Sequence, residues 1–238
     1  MEAVTIRKNV DTYMEELRKW AEHSKEKCLE EMTEFFRVRV DGYEEHMSVW
    51  QEAYEYLAGL VPEDAKTMLD IGCGTGLELD EILKKIPGLE VTGIDLSQVM
   101  LTKLKDKHPE NNVKVRQGDY FKENFGKACY DVAVSFETLH HFTAEKKEVV
   151  FRKLYDSLKE GGVYVQADYL ACCQEEETLL FSICREKRRK EEIRDDVFVH
   201  FDTPLTPEHE MACIRNAGFR DVELNACING AAIIIARK

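Results

Sequence analysis

Apolar residues recur at two different spacings along this chain, and the change of spacing divides it into two parts. In residues 1–40 they recur at helical spacing, and Asp41-Gly42 breaks the pattern. A second helix is predicted over Glu44–Leu60, ending near Gly59 and Pro62. The apolar positions of the first stretch are Val10, Tyr13, Met14, Leu17, Trp20, Ala21, Cys28, Met32, Phe35 and Phe36.

After residue 66, short apolar runs alternate with helical patterns. The runs are rich in Val, Ile and Leu, as in strands that are buried on both faces of a sheet. Of the helical stripes between them, one stops at Pro87-Gly88, one begins at the N-cap candidate Ser97, and one closes at Gly161-Gly162. This alternation predicts a mostly parallel sheet with helices on both faces. The predicted strands are Thr67–Ile71, Glu90–Ile94, Val113–Arg116, Asp131–Ser135 and Val163–Ala167.

The C-terminus departs from this alternation. Val222–Ile228 and Ala231–Ala236 read as strands, and only Asn229-Gly230 joins them. Asn-Gly between two such runs is a strong hairpin signal, and a two-residue link cannot make a parallel crossover. The last strands are therefore predicted to be antiparallel to each other, which leaves one reversed strand in the sheet.

Charge and composition narrow the class of protein. The 238 residues carry 46 Asp and Glu against 33 Lys and Arg, a formal charge of −13, so the overall field disfavours nucleic acid. No apolar run reaches the ~18 residues that a membrane span needs, and residues 1–10 lack a secretory apolar region. The sequence thus predicts a cytoplasmic protein without a membrane or nucleic-acid partner. The eight cysteines lack Cys-x-x-Cys spacing, which favours free thiols and no metal site.

A glycine-rich loop, Asp70-Ile71-Gly72-Cys73-Gly74-Thr75-Gly76, follows the first predicted strand and precedes a helix. Glycines there let the backbone turn tightly and approach a ligand closely. The spacing Gly-x-Gly-x-Gly differs from the dinucleotide fingerprint Gly-x-Gly-x-x-Gly, and no Gly-Lys-Ser/Thr follows as in a P-loop. The loop therefore predicts a ligand site that is neither of these two.

Four segments in this order resemble the motifs of the class I S-adenosylmethionine-dependent methyltransferases of the small-molecule type, over about residues 43–238. After the glycine loop they are Gly93–Ser97, Gln117–Tyr120 and Asp131–Phe136. The resemblance implies a doubly wound, mostly parallel seven-stranded sheet of the Rossmann-like methyltransferase fold, whose reversed C-terminal strand matches the predicted hairpin. It also implies S-adenosyl-L-methionine as cofactor. The residues expected at the cofactor are Asp70, Gly72, Cys73, Gly74, Asp95, Leu96, Asp119, Tyr120, Ser135 and Tyr43.

The residue types agree with that cofactor. Asp95 ends the second strand and offers two acceptor oxygens for a vicinal diol such as that of a ribose. Methyl transfer is an in-line displacement, so the protein mainly aligns the reactants, and it needs a base only when the acceptor loses a proton. Glu137, His140 and His141 follow the fourth strand, at the sheet edge where ligands bind. His140 and His141 are the predicted catalytic residues, because histidine exchanges protons near neutrality.

Two segments lie outside the strand–helix alternation and are expected to cover the site. Residues 1–60 are predicted as an N-terminal helical cap, and residues 61–238 as the methyltransferase core with a helical insertion over residues 169–202. The insertion holds the basic run Arg185–Lys190, which is either a solvated helix face or a lid that contacts an anion.

The predicted function is methyl transfer from S-adenosyl-L-methionine to a small-molecule acceptor. Oxygen, nitrogen, sulfur and carbon acceptors stay open, as does the oligomeric state. The alternatives are a nicotinamide-dependent oxidoreductase, which should show Gly-x-Gly-x-x-Gly, and a non-catalytic protein that binds S-adenosylmethionine. A nucleic-acid methyltransferase is disfavoured, because Ser135–Thr138 stands where such enzymes carry Asn/Asp-Pro-Pro-aromatic or Pro-Cys.

Overall fold

The computed structural model describes residues 4–24 and 26–238, so residues 1–3 and Lys25 of the predicted helical cap lie outside the described residues. The helices are α1 Val10–Ser24, α2 Met32–Arg39, α3 Tyr43–Met47, a 3₁₀ turn Ser48–Trp50, α4 Gln51–Leu60, α5 Leu77–Lys85, α6 Gln98–Lys107, α7 Ala144–Ser157, α8 Gln174–Lys190 and α9 Pro207–Asn216. The strands are β1 Glu30–Glu31, β2 Thr67–Ile71, β3 Glu90–Asp95, β4 Val113–Gln117, β5 Tyr130–Phe136, β6 Leu158–Tyr169, β7 Val199–His200, β8 Arg220–Ile228 and β9 Ala231–Arg237.

A seven-stranded sheet forms the centre of the fold, in the order β4-β3-β2-β5-β6-β9-β8. The pairs from β4 to β6 are parallel, whereas β9 runs antiparallel to both β6 and β8. Asn229 and Gly230 turn the final hairpin, both with positive φ. The predicted sheet with one reversed strand near the C-terminus is confirmed.

The end of α7 differs from the prediction. The helix stops at Ser157, and Leu158 begins β6 opposite Tyr130, with a shift of register between Tyr130 and Val132. Gly161 has φ +76°, and a Cβ on Gly162 would lie 2.8 Å from the Lys159 carbonyl oxygen. The Gly-Gly pair therefore serves an irregular strand start rather than a helix end. Leu158 is buried in the strand. A buried leucine also fits a helical stripe, so the apolar pattern does not distinguish the two elements at this position.

Two apolar layers cover the two faces of the sheet. One contains α4, α5 and α6, and the other contains α7 and α9. The buried residues of α4, which are Ala53, Tyr54, Leu57 and Ala58, all belong to the first layer. Helix α4 therefore packs as part of the core rather than within a separate cap that ends at residue 60. None of the helices in the described ranges is long and apolar enough to cross a bilayer.

The N-terminal part and the insertion are joined to each other. Strand β1 pairs with β7 over two residues, and the Met32 N–H donates to the Phe198 carbonyl (3.0 Å). Lys187, in the basic run, is buried and donates to the Ser24 carbonyl at the end of α1 (2.6 Å). Arg188 donates to the Val197 carbonyl (2.9 Å). Lys187 and Arg188 therefore stabilise the N-terminal part and the insertion by binding backbone carbonyls. They are not part of a solvated helix face.

An ion pair lies inside the core between α7 and α9. Lys147 Nζ is 2.6 Å from Glu210 Oε2, and both side chains are fully buried. Gln166 Nε2 donates to the other Glu210 oxygen (2.6 Å). The two charges therefore compensate each other inside the core, so the removal of one partner leaves the other buried without its ion pair.

We expect Lys147→Met to lower the free energy of unfolding by about 3–5 kcal/mol, because it strands the Glu210 carboxylate in the core. The double variant Lys147→Met/Glu210→Leu should lose less stability than the single variant, since it leaves no charge unpaired. Guanidinium unfolding measures both, with the exposed neighbour substitution Lys146→Met as the control. A double variant that is no more stable than the single one would contradict this account of the pair.

Candidate active site

The glycine loop between β2 and α5 lies at the carboxyl edge of the sheet. Gly72, Gly74 and Gly76 all have positive φ, between +47° and +72°. A Cβ on Gly72 would lie 2.2 Å from Thr138 Oγ1, and one on Gly76 would lie 2.3 Å from a Leu104 methyl group. The sequence therefore needs glycine at Gly72 and Gly76 for space as well as for backbone conformation.

Asp95 fixes the outer side of this loop. It ends β3, and its two oxygens accept from the Gly74 N–H (3.0 Å) and the Ser97 N–H (2.7 Å). Burial raises the pKa of Asp95, and the two N–H donors oppose that shift. Each carboxylate oxygen keeps acceptor capacity beyond these two bonds. Ser97 is the N-cap of α6, as predicted, and accepts from the Met100 N–H (3.4 Å).

Two neighbouring acids are buried beneath the loop, and the Lys107 ammonium acts electrostatically on one of them, Glu78. Asp70 is fully buried, and its oxygens meet no N–H donor or cation among the residues that the structure describes. Burial and the neighbouring Glu78 carboxyl raise the pKa of Asp70 well above its usual value. Burial likewise raises the pKa of Glu78 to about 7. Two buried acids side by side make a place where a bound cation would be stabilised.

The predicted cofactor residues are distributed around a narrow cleft above Asp95. Gly72, Asp95, Leu96 and Tyr120 line the cleft, and Met32, Thr33, Phe36 and Phe198 cover it. Cys73 and Tyr43 line a recess on the other side of the glycine loop, next to Glu78. The Tyr43 hydroxyl lies 3.7 Å from the ideal Cβ position of Gly74, so this ring packs on the loop.

Four predicted cofactor residues line neither the cleft nor the recess, and they are Asp70, Gly74, Asp119 and Ser135. Asp119 accepts from the Phe121 N–H (2.9 Å) and pairs with Lys122 (3.1 Å), so its carboxylate caps a turn. Ser135 is fully buried, and its hydroxyl bonds the Tyr164 hydroxyl (2.7 Å). The contact of Asp119 and Ser135 with a cofactor stays a prediction.

A second, larger cavity of about 780 Å³ opens beside the cleft. Its walls are aromatic, and its floor is formed by ionisable side chains of the loop after β5 and of the segment after β7. Phe36, Glu137 and His141 line both the cleft and this cavity, which makes them the junction between the two. The aromatic residues are Phe35, Phe36, Tyr43 and Trp50, and the ionisable ones of the floor are Glu137, His140, His141, His200 and Asp202.

His140 lies between two carboxylates on this floor. Its Nδ1 is 2.5 Å from Asp168 Oδ1, and its Nε2 is 3.5 Å from Asp202 Oδ1. Asp168 is itself held by the Leu139 and Tyr169 N–H groups, both at 3.0 Å. Burial lowers the pKa of His140, but the two carboxylates outweigh it and raise the pKa well above the usual value. The imidazole is thus fixed in orientation and carries a proton near neutrality.

Glu137 is the residue that connects His140 to the junction. It is a non-glycine residue with φ +47°, which is backbone strain of the kind found at functional sites. Glu137 Oε2 is 3.5 Å from His140 Nδ1, whereas Oε1 is buried without a partner in the described chain. Burial raises the pKa of Glu137 to about 8. Burial, and then the charge of His140, lower the pKa of His141 to about 3, so His141 is neutral.

His140, His141 and Glu137 were predicted from the sequence, but two carboxylates around them, Asp168 and Asp202, were not among the predicted site residues. Asp168, the residue directly after the predicted strand Val163–Ala167, orients His140. Asp202 carries no sequence signal, because it reaches the site from the last position of the insertion. The ligand atoms of His140, His141 and Asp202 lie within 4.8 Å of one another, which is close enough for a divalent cation. The absence of a metal stays a prediction.

The residues present fit the expected cofactor. Asp70, whose oxygens have no hydrogen-bond partner among the described residues, and its neighbour Glu78 suit an ammonium group, and the free acceptor capacity of Asp95 suits ribose hydroxyls. Next to Gly74, the nearest atom to an ideal Cβ position is the Tyr43 hydroxyl at 3.7 Å, so a ligand can approach the loop backbone there. These are the groups that S-adenosyl-L-methionine carries along its length, together with a sulfonium between them.

Comparison with known proteins agrees with the site. The chain matches a methyltransferase domain family over residues 68–162. It is 27% identical over 192 residues to carboxy-S-adenosyl-L-methionine synthase of Nautilia profundicola, an alignment that covers 74% of this chain and 78% of that protein. The family match includes the glycine loop, Asp95 and Glu137.

Solved structures show the same fold. Human N-acetylserotonin methyltransferase in complex with SAM aligns with a TM-score of 0.60 at 20% identity, over 86% of this chain and 58% of that chain. Streptomyces venezuelae DesVI aligns with a TM-score of 0.61 at 19% identity, over 83% of this chain and 97% of that chain. This chain therefore spans less than two thirds of the human enzyme and nearly all of the bacterial protein. The motifs, the fold and the relatives together support a class I S-adenosylmethionine-dependent methyltransferase.

Proposed function

We propose that this methyltransferase acts on a small molecule that binds in the 780 Å³ cavity. The observation that carries the proposal is the junction of cleft and cavity at Glu137 and His141. A donor that binds along the cleft and an acceptor in the cavity would meet there. The volume lies within the ~300–1,000 Å³ of typical small-molecule sites. The Nautilia profundicola relative, whose name describes a small-molecule product, supports this acceptor class.

When bound, S-adenosyl-L-methionine supplies an electrophilic methyl group, and the acceptor's lone pair forms the new bond as the carbon–sulfur electron pair stays on sulfur. Asp95 and the glycine loop hold the donor, and Asp70 and Glu78 compensate its ammonium group. Phe36 and His141 narrow the junction and exclude water. The chain thus contributes chiefly alignment.

His140 is the group that takes the acceptor's proton. Asp168 holds the ring by Nδ1, so Nε2 is the atom that faces the cavity and Asp202. Because the carboxylates raise its pKa, His140 must first lose its proton to act as a base. A sulfonium cation at the junction would favour the neutral ring, since like charges oppose one another. Glu137, with one unpartnered oxygen, is placed to bond the acceptor.

Two measurements separate this proposal from its alternatives. Calorimetry should detect S-adenosyl-L-homocysteine but not NAD, whereas a nicotinamide-dependent oxidoreductase would bind NAD. Incubation with S-adenosyl-L-methionine and 2-naphthol, tyramine or benzyl mercaptan should give S-adenosyl-L-homocysteine and an equal amount of methylated product. Binding of the donor without turnover on any of the three would favour the non-catalytic alternative.

Asp95→Asn should weaken S-adenosyl-L-homocysteine binding by about 30- to 1,000-fold, because two hydrogen bonds to a charged acceptor are lost or reversed. Calorimetry at pH 7.5 measures the affinity. Glu90→Gln is the matched control, an acid-to-amide change at the opposite end of the same strand. Affinities of the two variants within a factor of about three would show that Asp95 does not hold the donor.

His140→Gln should lower kcat by about 10²- to 10⁴-fold, because no base then accepts the acceptor's proton. Affinity for S-adenosyl-L-homocysteine should stay unchanged, since His140 lines the cavity but not the cleft. The readouts are the rate of S-adenosyl-L-homocysteine formation and calorimetry. A full rate in His140→Gln would remove the base from the mechanism.

The rate should also rise with pH above neutrality, because the pKa of His140 is raised and that of Glu137 is about 8. Asp202→Asn removes one anion beside His140, which lowers the pKa of that ring. The acidic limb of the kcat profile should therefore move to lower pH, while Asp168, Glu137 and His141 stay in place around the ring. Asp195→Asn, on the exposed part of the same segment, is the control. A shift to higher pH, or none, would contradict this assignment.

A further inference from the structure

A third cavity, of about 410 Å³, lies between α1 and α8 on the far side of His200 and Asp202. These two residues line both this cavity and the 780 Å³ cavity, so they form the partition between the two. We call the third cavity the outer lobe. Its lining residues are Tyr13, Glu16, Leu17, Trp20, Tyr169, Leu180, His200, Phe201 and Asp202.

Aromatic and aliphatic side chains make up most of the outer lobe. Tyr13, Leu17 and Trp20 recur at helical spacing and turn one face of α1 toward it. The Trp20 and Phe201 rings lie 6.3 Å apart, and Trp20 is 45% exposed although it is a large aromatic residue. A partly exposed tryptophan in an apolar recess is typical of a site that receives a flat apolar group.

The rear wall of the outer lobe is rigid. The Tyr13 hydroxyl donates to Glu176 (2.5 Å) and lies 3.0 Å from the Tyr169 hydroxyl, which also bonds Glu176. Glu176 is fully buried and accepts from the Cys172 N–H (2.6 Å). Because this hydrogen-bond network joins α1, β6 and α8, the position of the lobe's rear wall is fixed by the fold.

The charges around both cavities point to one class of ligand. In the described chain, the charged side chains that line the outer lobe are the acids Glu16 and Asp202, and no lysine or arginine lines it. Burial lowers the pKa of His200, so that ring adds no cation. Arg39 lines the larger cavity, but it pairs with Glu30 (2.8 Å) and lies on the Phe35 ring. An anionic group in the outer lobe would therefore meet two acids and no cation among the lining residues, and the Arg7 guanidinium lies against this wall on the Tyr13 ring (3.8 Å).

We propose that the two cavities form one acceptor site for an elongated aromatic molecule that is uncharged or carries an amine at its far end. The reacting group would lie at Glu137 and His140. The rest of the molecule would extend past His200 and Asp202 into the outer lobe. We expect acceptor molecules with a phosphorylated or carboxylated far end to bind poorly in this site. This inference rests on the proposed function, because it takes the larger cavity as the place of the acceptor.

The chain offers a direct reporter, because Trp20 lines the outer lobe and Trp50, the other tryptophan, lines the larger cavity. In a Trp50→Phe background loaded with S-adenosyl-L-homocysteine, fluorescence reports Trp20 alone. The probes are phenol, 4-phenylphenol and 4′-hydroxybiphenyl-4-carboxylate, which share the reacting group and differ in length and end charge. Calorimetry measures the same affinities independently.

We expect 4-phenylphenol to quench Trp20 and to bind at least about tenfold more tightly than phenol, because its second ring is buried in the outer lobe. The carboxylate probe should bind at least about tenfold more weakly than 4-phenylphenol, because its charge would be desolvated without a partner. Trp20→Ala should abolish the advantage of 4-phenylphenol over phenol.

Glu16→Lys should improve binding of the carboxylate probe by about tenfold or more and leave 4-phenylphenol within about threefold, since it places a cation at the lobe. Glu15→Lys is the matched control, because it makes the same change of net charge on the adjacent, exposed residue that does not line the lobe. Equal affinities for phenol and 4-phenylphenol, or an equal gain in Glu15→Lys and Glu16→Lys, would overturn the inference.

These outcomes are separable from a failure of the proposed function. Trp20-dependent binding of 4-phenylphenol without any methyl transfer would leave the two-lobed site intact and refute the reaction. Methyl transfer to phenol and 4-phenylphenol with equal affinity would leave the reaction intact and refute the outer lobe.

Discussion

The bond from the Gly74 N–H to the Asp95 carboxylate is the interaction on which the rest of the site depends. It joins the loop after the first core strand to the end of its neighbour, and the other Asp95 oxygen accepts from the Ser97 N–H that begins α6. One carboxylate therefore sets the loop conformation and still offers acceptors to the cleft. This is possible because two glycines of the loop stand where a Cβ would clash.

The distribution of charge along the cleft follows from this arrangement. Asp70 and Glu78 are buried beneath the glycine loop, Asp95 lines the cleft, and Glu137 lies at the junction beside the His140–Asp168 pair. Such a group of buried acids favours a cationic ligand. A donor that carries both an ammonium and a sulfonium would supply that charge.

Much of the fold could be predicted from the sequence, because periodicity and turn chemistry are local. The parallel strands, the Ser97 cap and the Asn229-Gly230 hairpin all followed from a few adjacent residues. The helical stripe predicted to close at Gly161-Gly162 runs past the real end of α7 at Ser157, because the buried Leu158 suits either element. The site was predictable only where it follows a strand end, as at Asp95 and His140. Asp202 and the outer lobe depend on contacts between distant segments, such as β1 with β7, that no local pattern encodes.

We infer that the donor lies along the cleft between Gly72 and Glu137, with its reactive end toward the 780 Å³ cavity. A crystal structure of the protein with S-adenosyl-L-homocysteine tests this most directly. The account predicts ribose oxygens at hydrogen-bond distance from Asp95, the amino group near Asp70 and Glu78, and sulfur at the junction between cleft and cavity. Density for the ligand elsewhere, or in the cleft with sulfur turned away from Glu137, would contradict it.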